Sequence, residues 1–481
     1  MAGKPVTSTV NGRVVGLAVA GAVGGFLFGF DSSVVNGAVD AIQEDFGLDP
    51  TITGIAIASA LVGCAVGAEL AGRLADRLGR VPVMLIGAIL FLVSSIGSGL
   101  AVGVWDLIVW RLIGGLGIGI ASVVAPAYIA EISPSRVRGR FASLQQLAIV
   151  LGIFAALLSD ALFANAAGGA QGILWFGLDA WRWMFIACVV PAIAYGVIAL
   201  TLPESPRHLI RTGKEERARA VLASILPAAD VDAAVADVHA SIERDAGQQG
   251  SLRGPALGLK PIVWVGILLS VFQQFVGINV IFYYSTTLWR AVGFTEQDSL
   301  TISVITSVTN IVVTIIAIML VDKVGRRPML IWGSAGMTVA LATMALAFSQ
   351  SVPGEGGPTL PGAWGPIALV AANLFVVAFG VSWGPIVWVL LGEIFPNRIR
   401  ARALGLAAAA QWAANFLITV TFPALAAMSL TFAYGMYAVF AVLSLVFVIL
   451  RIPETKGTKL DEADQLAAPV RRRRAAPAPA G

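Results

Sequence analysis

The sequence predicts an all-α membrane protein. It should have twelve transmembrane helices in two pseudo-symmetric six-helix bundles, joined by a cytoplasmic helical linker. Three observations predict this. Of 481 residues, 57% are hydrophobic and only 12% charged, about half the charged share of a soluble domain. The apolar residues come in runs of span length, each long enough for about 30 Å of hydrocarbon. And the polar signatures between those runs occur twice, about 250 residues apart.

In chain order, the first six spans fall at residues 13–39, 53–74, 82–102, 106–130, 140–163 and 181–202. The second six fall at 262–290, 298–321, 328–350, 365–392, 402–427 and 430–451. The first apolar run follows a short polar stretch, continues past signal-peptide length and has no convincing cleavage site. It is expected to be retained as a span. The organisation is then an N-terminal bundle at 1–202, a linker with short helices at 203–260, a C-terminal bundle at 261–452 and a tail at 453–481. Within the linker, 214–219 is charged and helix-favouring and 228–244 reads as amphipathic.

Basic residues set the orientation. Arg73, Arg77 and Arg80 follow the second span, and Arg136, Arg138 and Arg140 the fourth. Arg207, Arg211 and Lys214 follow the sixth, Lys323, Arg326 and Arg327 the eighth, and Arg398, Arg400 and Arg402 the tenth. The alternate loops carry Asp40, Glu44 and Asp45, then Asp106, then Asp160 and Asp179, with Arg182 and Arg290 as exceptions. Both termini and the linker are therefore expected on the cytoplasmic side. The Arg471 to Arg474 run reads as a solvated basic tail, and the Ala/Pro stretch after it as unstructured.

The repeats are specific. Gly72-Arg73-Leu74-Ala75-Asp76-Arg77-Leu78-Gly79-Arg80 recurs as Val321-Asp322-Lys323-Val324-Gly325-Arg326-Arg327. Glu131-Ile132-Ser133-Pro134 with Arg138 recurs as Glu393-Ile394-Phe395-Pro396 with Arg400. Pro203-Glu204-Ser205-Pro206-Arg207 is echoed by Pro453-Glu454-Thr455-Lys456-Gly457. Duplication of a six-span unit, with a binding site between the copies, follows from that spacing.

The most informative stretch is Gln273-Gln274-Phe275-Val276-Gly277-Ile278-Asn279, followed by Tyr283-Tyr284, inside the seventh run. Carboxamides and phenols are costly in hydrocarbon unless they face protein, water or a ligand. Amides offer both donors and an acceptor, and phenols one of each. That set suits a neutral, hydroxyl-rich ligand. Ideal helix spacing does not put the three amides on one face, but a break at Gly277 would let both halves aim inward. The competing reading is that these amides only tie helices together.

Other classes find little support. Two cysteines, Cys64 and Cys188, each fall inside a span and read as packing residues without a disulfide. Two histidines without a cysteine or carboxylate cluster argue against a metal enzyme. No nucleophile–base set, cofactor or metal is expected. The net charge of +4 does not argue for nucleic acid. Gly114, Gly115, Gly117 and Gly119 sit in an apolar span without the strand–turn–helix context of a nucleotide loop. They read as close helix packing.

These motifs in combination, with Trp383-Gly384-Pro385-Ile386-Val387-Trp388, make the chain resemble a sugar porter of the major facilitator superfamily. The resemblance covers nearly the whole length except the tails. Among members it most resembles bacterial proton-coupled xylose and glucose symporters. It implies that sugar hydroxyls meet Gln146 in the fifth span, Gln273, Gln274 and Asn279 in the seventh, Asn310 in the eighth, and Gln411 and Asn415 in the eleventh. Phe28, Trp388 and Trp412 would line the pocket, and Tyr283 and Tyr284 would help close its outer side. Two departures stand out. His208 follows Pro-Arg where many members have Trp, and Gly380 stands where several animal facilitators have Glu.

Asp31 and Arg111 lie inside predicted spans. A carboxylate in hydrocarbon keeps its proton until a cation approaches. If Arg111 nears Asp31 in one conformation and leaves in another, proton affinity alternates with conformation. The resemblance implies the same role for Asp31, since facilitators commonly carry a neutral residue there. A permanent structural ion pair is the competing reading. One charge crossing 100 mV gains about 2.3 kcal/mol, enough for roughly 50-fold accumulation.

The remaining charges read as conformational latches. Asp76, Arg77, Arg80, Glu131 and Arg138 are expected to meet at the inner ends of one half. Glu204, Asp322, Arg326, Arg327, Glu393 and Arg400 are expected to meet in the other, and Glu69 to join the inner network. The functional expectation is a monomeric, bacterial plasma-membrane symporter moving a proton with an aldose, D-glucose, D-xylose or both. The alternatives are a uniporter of the same fold, against which Asp31 argues, and a transporter-like sugar sensor. For the sensor the roughly 30 residues after the last span are poor signalling material.

Overall fold

The computed structural model describes residues 12–132, 138–247, 251–354, 357–396 and 399–456. Among these, twelve helices are long and apolar enough to cross a membrane. The first six are Ala22–Asp45, Pro50–Leu78, Arg80–Gly99, Val104–Ile129, Leu144–Ala167 and Ala180–Thr201. The second six are Pro261–Tyr283, Glu296–Val321, Arg326–Ser349, Trp364–Ile394, Arg402–Met428 and Leu430–Arg451. Every predicted span has its counterpart.

The chain divides into two compact units, 1–47 with 56–248, and 48–55 with 249–481. In the first unit the first span packs along the fifth, and the third packs on the fourth and sixth. In the second unit the seventh packs along the eleventh, and the ninth on the tenth and twelfth. The same neighbours thus recur at matching positions in each unit.

Three spans depart from single rods. The sixth is two helices, Ala180–Ala187 and Val189–Thr201, meeting at Cys188. The tenth breaks between Trp364–Gly380 and Trp383–Ile394. The seventh, expected to run on to 290, comprises Pro261–Phe275, Ile278–Tyr283 and Ser285–Arg290. Its first break is at Gly277, in the left-handed region at φ 83°, where a side chain is strained and glycine is not. A methyl there would also lie 2.8 Å from the Tyr437 ring.

The linker carries helices Pro206–Arg211, Glu215–Ile225 and Val231–Gly247. Ser205 starts the first of these, its hydroxyl accepting from His208 N–H with Pro206 at the first helical position, a favoured start. The all-α expectation needs a small correction. A two-stranded antiparallel ribbon pairs Val352–Gly354 with Gly357–Thr359, and Arg253–Ala256 is extended and bridges to Leu259. These lie in polar connections too short and too rich in Gly and Pro for helix.

Asp160 falls both inside the expected fifth span, 140–163, and in the group of loop charges; the structure bears out the first placement and corrects the second, since the residue lies within the span and is fully buried.

Candidate sugar site, ion pair and latches

In the second unit the broken seventh span turns its amides toward the eleventh. Gln273 Nε2 donates to the carbonyls of Trp383, at 3.0 Å, and Gly384, at 3.4 Å, where the tenth span restarts. Gln274 Nε2 lies 3.4 Å from Gln273 Oε1. Asn279 Nδ2 donates to Gln274 Oε1 at 2.5 Å and to Asn415 Oδ1 at 2.8 Å. Thr419 Oγ1 donates to the same Asn415 oxygen at 3.2 Å. One continuous chain of neutral polar groups therefore links the seventh, tenth and eleventh spans. Gln273, Gln274 and Asn415 are buried, while Asn279 is half-buried. The break at Gly277 allows this, because Asn279 sits beyond it and Gln274 before it.

The other residues expected at the site have varied settings. Asn310 is buried, and a methyl on Gly380 would lie 3.3 Å from its Oδ1. Gln411 is half-buried, with its Oε1 enclosed and lacking a hydrogen-bond partner among the described residues. Trp412 is half-buried and Trp388 is 44% exposed. Tyr283 is buried. Tyr284 is buried too, donating its hydroxyl to the Thr419 carbonyl at 2.9 Å and packing on Phe422. That fixes it as a tie between the seventh and eleventh spans. In the first unit Phe28 and Gln146 are half-buried. Sequence reasoning passed over Gln145, whose Oε1 is enclosed without a hydrogen-bond partner among the described residues. The doublet Gln145-Gln146, like Gln273-Gln274, was the available signal. It also passed over Thr419, which a hydroxyl one turn after Asn415 could have suggested.

Asp31 and Arg111 meet in the first unit. Arg111 Nη1 donates to Asp31 Oδ1 at 2.7 Å, and both side chains are buried. The Arg111 guanidinium also lies 5.6 Å from the Phe185 ring centre, a cation–π contact. Its Nε is enclosed and has no hydrogen-bond partner among the described residues. A buried pair of this kind gives little net stability, but losing one partner strands the other charge.

The charged residues expected to act as latches form two matching clusters, one per unit. In the first, Arg80 Nη2 lies 2.7 Å from Glu131 Oε1 and 3.7 Å from Asp76, and Nη1 donates to the Ala75 carbonyl at 2.9 Å. Ser205 donates to Glu131 Oε2 at 2.5 Å. Arg211 reaches Asp76 at 2.8 Å. In the second, Arg326 grips Glu393 with Nη2 at 2.9 Å and Nε at 3.2 Å, and Nη1 donates to the Val321 carbonyl at 3.1 Å. Thr455 donates to Glu393 Oε2 at 2.5 Å. Arg327 donates to the Ile449 carbonyl at 2.9 Å, and Arg400 to that of Phe395 at 3.0 Å.

Glu204 corrects the expected grouping. It belongs to the first cluster, accepting the N–H groups of Arg80 at 2.8 Å and Val81 at 3.2 Å. Its counterpart in the second unit is Glu454, not predicted, which accepts those of Arg326 at 3.0 Å and Arg327 at 3.1 Å. Both carboxylates cap the N-terminus of a span, where unpaired N–H groups and the helix dipole favour an anion. Gly79 at φ 101° and Gly325 at φ 105° make the turns that let them approach. Carboxylate preference for a helix start, rather than for an Arg side chain, decided the allegiance. Arg77 is exposed, and Glu69 makes an exposed pair with Arg73, a kind worth little. The side chains of Arg138 and Asp322 lie outside the described residues. Against the first cluster, burial pushes the His208 imidazole below its ordinary range while Glu204 pulls the other way.

Comparison with known proteins places these features in context. The family model described as "Sugar (and other) transporter" matches residues 17–467. The glucose transport protein of Synechocystis is 52% identical over 95% of this chain and 99% of its own length. The D-xylose-proton symporter of Escherichia coli K12 is 35% identical over 95% of this chain and 96% of its own. The solved partially occluded, inward-open form of the xylose transporter XylE from E. coli superposes with a TM-score of 0.80 at 33% identity, covering 93% of this chain and all of that one.

Proposed function

The chain belongs to the sugar (and other) transporter family, and on that premise we propose that it is a proton-coupled symporter. It carries an aldose, D-glucose, D-xylose or both, across the bacterial plasma membrane by alternating access, with both termini and the linker on the cytoplasmic side. The relatives' names support the substrate class. The observation that carries the coupling is the buried Asp31–Arg111 pair. In the arrangement seen, Arg111 lies 2.7 Å from the Asp31 carboxyl and supplies it with a counter-charge. Withdrawal of Arg111 in another conformation would make Asp31 take a proton, and with no net charge left on it the carboxyl could pass the membrane field.

The neutral chain Gln273–Gln274–Asn279–Asn415 supports sugar binding. Sugar hydroxyls both donate and accept, so amides match them without the desolvation cost of a charge. Gln146, Asn310 and Gln411 add further amides, with Phe28, Trp388 and Trp412 offering ring faces to the C–H side of the sugar. Tyr283 would help close the outer side. The two Arg–Glu clusters act as latches: Arg80, Glu131, Asp76 and Glu204 in one unit, Arg326, Arg327, Glu393 and Arg400 in the other. They hold when the inner side is closed and part when it opens.

The test is D31N in proteoliposomes, over a panel of aldoses. Sugar counterflow should persist, while uphill uptake and sugar-induced alkalinisation outside should vanish. Uphill uptake surviving in D31N would remove Asp31 as the coupling site. Sugar binding without flux in the wild type would favour a sensor.

A further inference from the structure

The break in the seventh span is fitted to one ring of the twelfth. A methyl on Gly277 would stand 2.8 Å from Tyr437 Cδ2 and 3.0 Å from its Cε2. The left-handed turn at Gly277 therefore rests directly against the Tyr437 ring. From Tyr437 a row of rings continues. It meets Tyr434 edge-on, with ring centres 5.7 Å apart. Tyr434 meets Phe422 of the eleventh span edge-on at 6.5 Å, and Phe422 meets Tyr284 at 5.1 Å. All four rings are at most 1% exposed. The row thus begins at Gly277 and ends at Tyr284, the two residues that bound the helix Ile278–Tyr283.

That helix carries Asn279, and it has six residues. A helix so short is far from stable alone, so its setting is decided by what it packs on. Both ends of the ring row also reach the amide chain. Asn279 lies two residues after Gly277 and donates to Gln274 and Asn415. At the other end, the Tyr284 hydroxyl donates to the carbonyl of Thr419, whose own hydroxyl donates to Asn415. The Tyr434 and Tyr437 hydroxyls are enclosed and have no hydrogen-bond partner among the described residues. What Tyr437 contributes is therefore the bulk and flatness of its ring, in edge-on aromatic contact, and not a phenol hydrogen bond.

We propose that Tyr437 is a positioning residue for sugar: its ring, seated against Gly277 and backed by Tyr434 and Phe422, holds the Ile278–Tyr283 helix in the setting that places Asn279 between Gln274 and Asn415. Tyr437 acts on the ligand only through Asn279. This rests on the sugar-site reading above.

The test is calorimetric titration of the purified full chain with D-glucose and D-xylose, in Y437F, Y437A, N279A and Y437A/N279A. Y437F keeps the ring and is expected to bind within about twofold of the wild type. Y437A is expected to bind about tenfold more weakly, the size of one lost hydrogen bond to the sugar. Because Tyr437 acts through Asn279, the double variant is expected to match N279A within about twofold, whereas independent effects would multiply. A merely structural ring would lower the melting temperature of Y437A and leave these affinities alone. Unchanged affinity in Y437A beside a loss in N279A overturns the inference and leaves the sugar site standing. So do multiplied losses in the double variant, or a loss in Y437F as large as that in Y437A. Unchanged affinity in both Y437A and N279A overturns the sugar site as well. If Y437A does not fold, Y437L takes its place, alone and with N279A, with the same expectations.

Discussion

Asn279 is the hinge of the amide chain, and its truncation separates a sugar site from a mere helix tie. Its Nδ2 donates to Gln274 at 2.5 Å and to Asn415 at 2.8 Å, and the residue is half-buried. N279A removes both donated bonds. Asn415 keeps the Thr419 hydroxyl, but Gln274 Oε1 loses its donor. A bond to a sugar hydroxyl is worth about 0.5–1.5 kcal/mol net, and leaving Gln274 unsatisfied or free to turn adds a comparable amount. The sum is about 2 kcal/mol, or roughly 30-fold weaker sugar binding. N279D should lose at least as much, because it sets a carboxylate against the carbonyl oxygens of Gln274, left without a donor, and of Asn415, left with the Thr419 hydroxyl alone. Calorimetric titration of the purified protein with D-glucose and D-xylose reads the effect. N373A is the control, since Asn373 donates to the Leu369 carbonyl one turn back, and its affinity should be unchanged. The two readings predict different patterns. If the amides only tie helices, N279A lowers the melting temperature and leaves affinity within about twofold. That result would refute the sugar-site argument.

Two further outcomes follow from the buried charges. R111Q strands Asp31 in the first unit, and loss of one partner of a buried pair costs about 3–5 kcal/mol. The double variant R111Q/D31N should recover most of that in thermal unfolding, and a double variant no more stable than R111Q would contradict the pairing. For His208, burial lowers the folded-state value from an ordinary 6.5. The unfolded chain then binds a proton first as pH falls, so stability should decline as pH drops below about 6.5. H208Q should flatten that slope in melting curves taken across this range; an unchanged slope would assign it to other groups.

Much of the fold was legible because hydrocarbon imposes a length and a composition on every crossing segment. The twelve runs, the duplication and the break at Gly277 all follow from local chemistry, and the structure carries each of them. The inner clusters were legible as residues but not as partnerships. Asp76, Arg80, Glu131, Arg326 and Glu393 were named from repeated motifs, yet Glu204 was assigned to the wrong half. A carboxylate after a span can serve any nearby arginine or any helix start, and sequence spacing does not choose between them. Its counterpart Glu454 was visible in the Pro-Glu echo but gained a role only from the N–H groups it accepts.

The sequence by itself determined the membrane class, the twofold repeat and the supply of neutral polar groups in the seventh and eleventh spans. Those depend on composition and periodicity along one dimension. Tertiary structure alone decided that Asn279 bridges Gln274 to Asn415, that Tyr284 is spent on a backbone carbonyl, and that Asp160 packs against Gly37 of the first span. A span boundary is uncertain by several residues, and for a carboxylate that shift separates water from a glycine-tight helix contact. Only the packed neighbour determines which of the two the side chain meets.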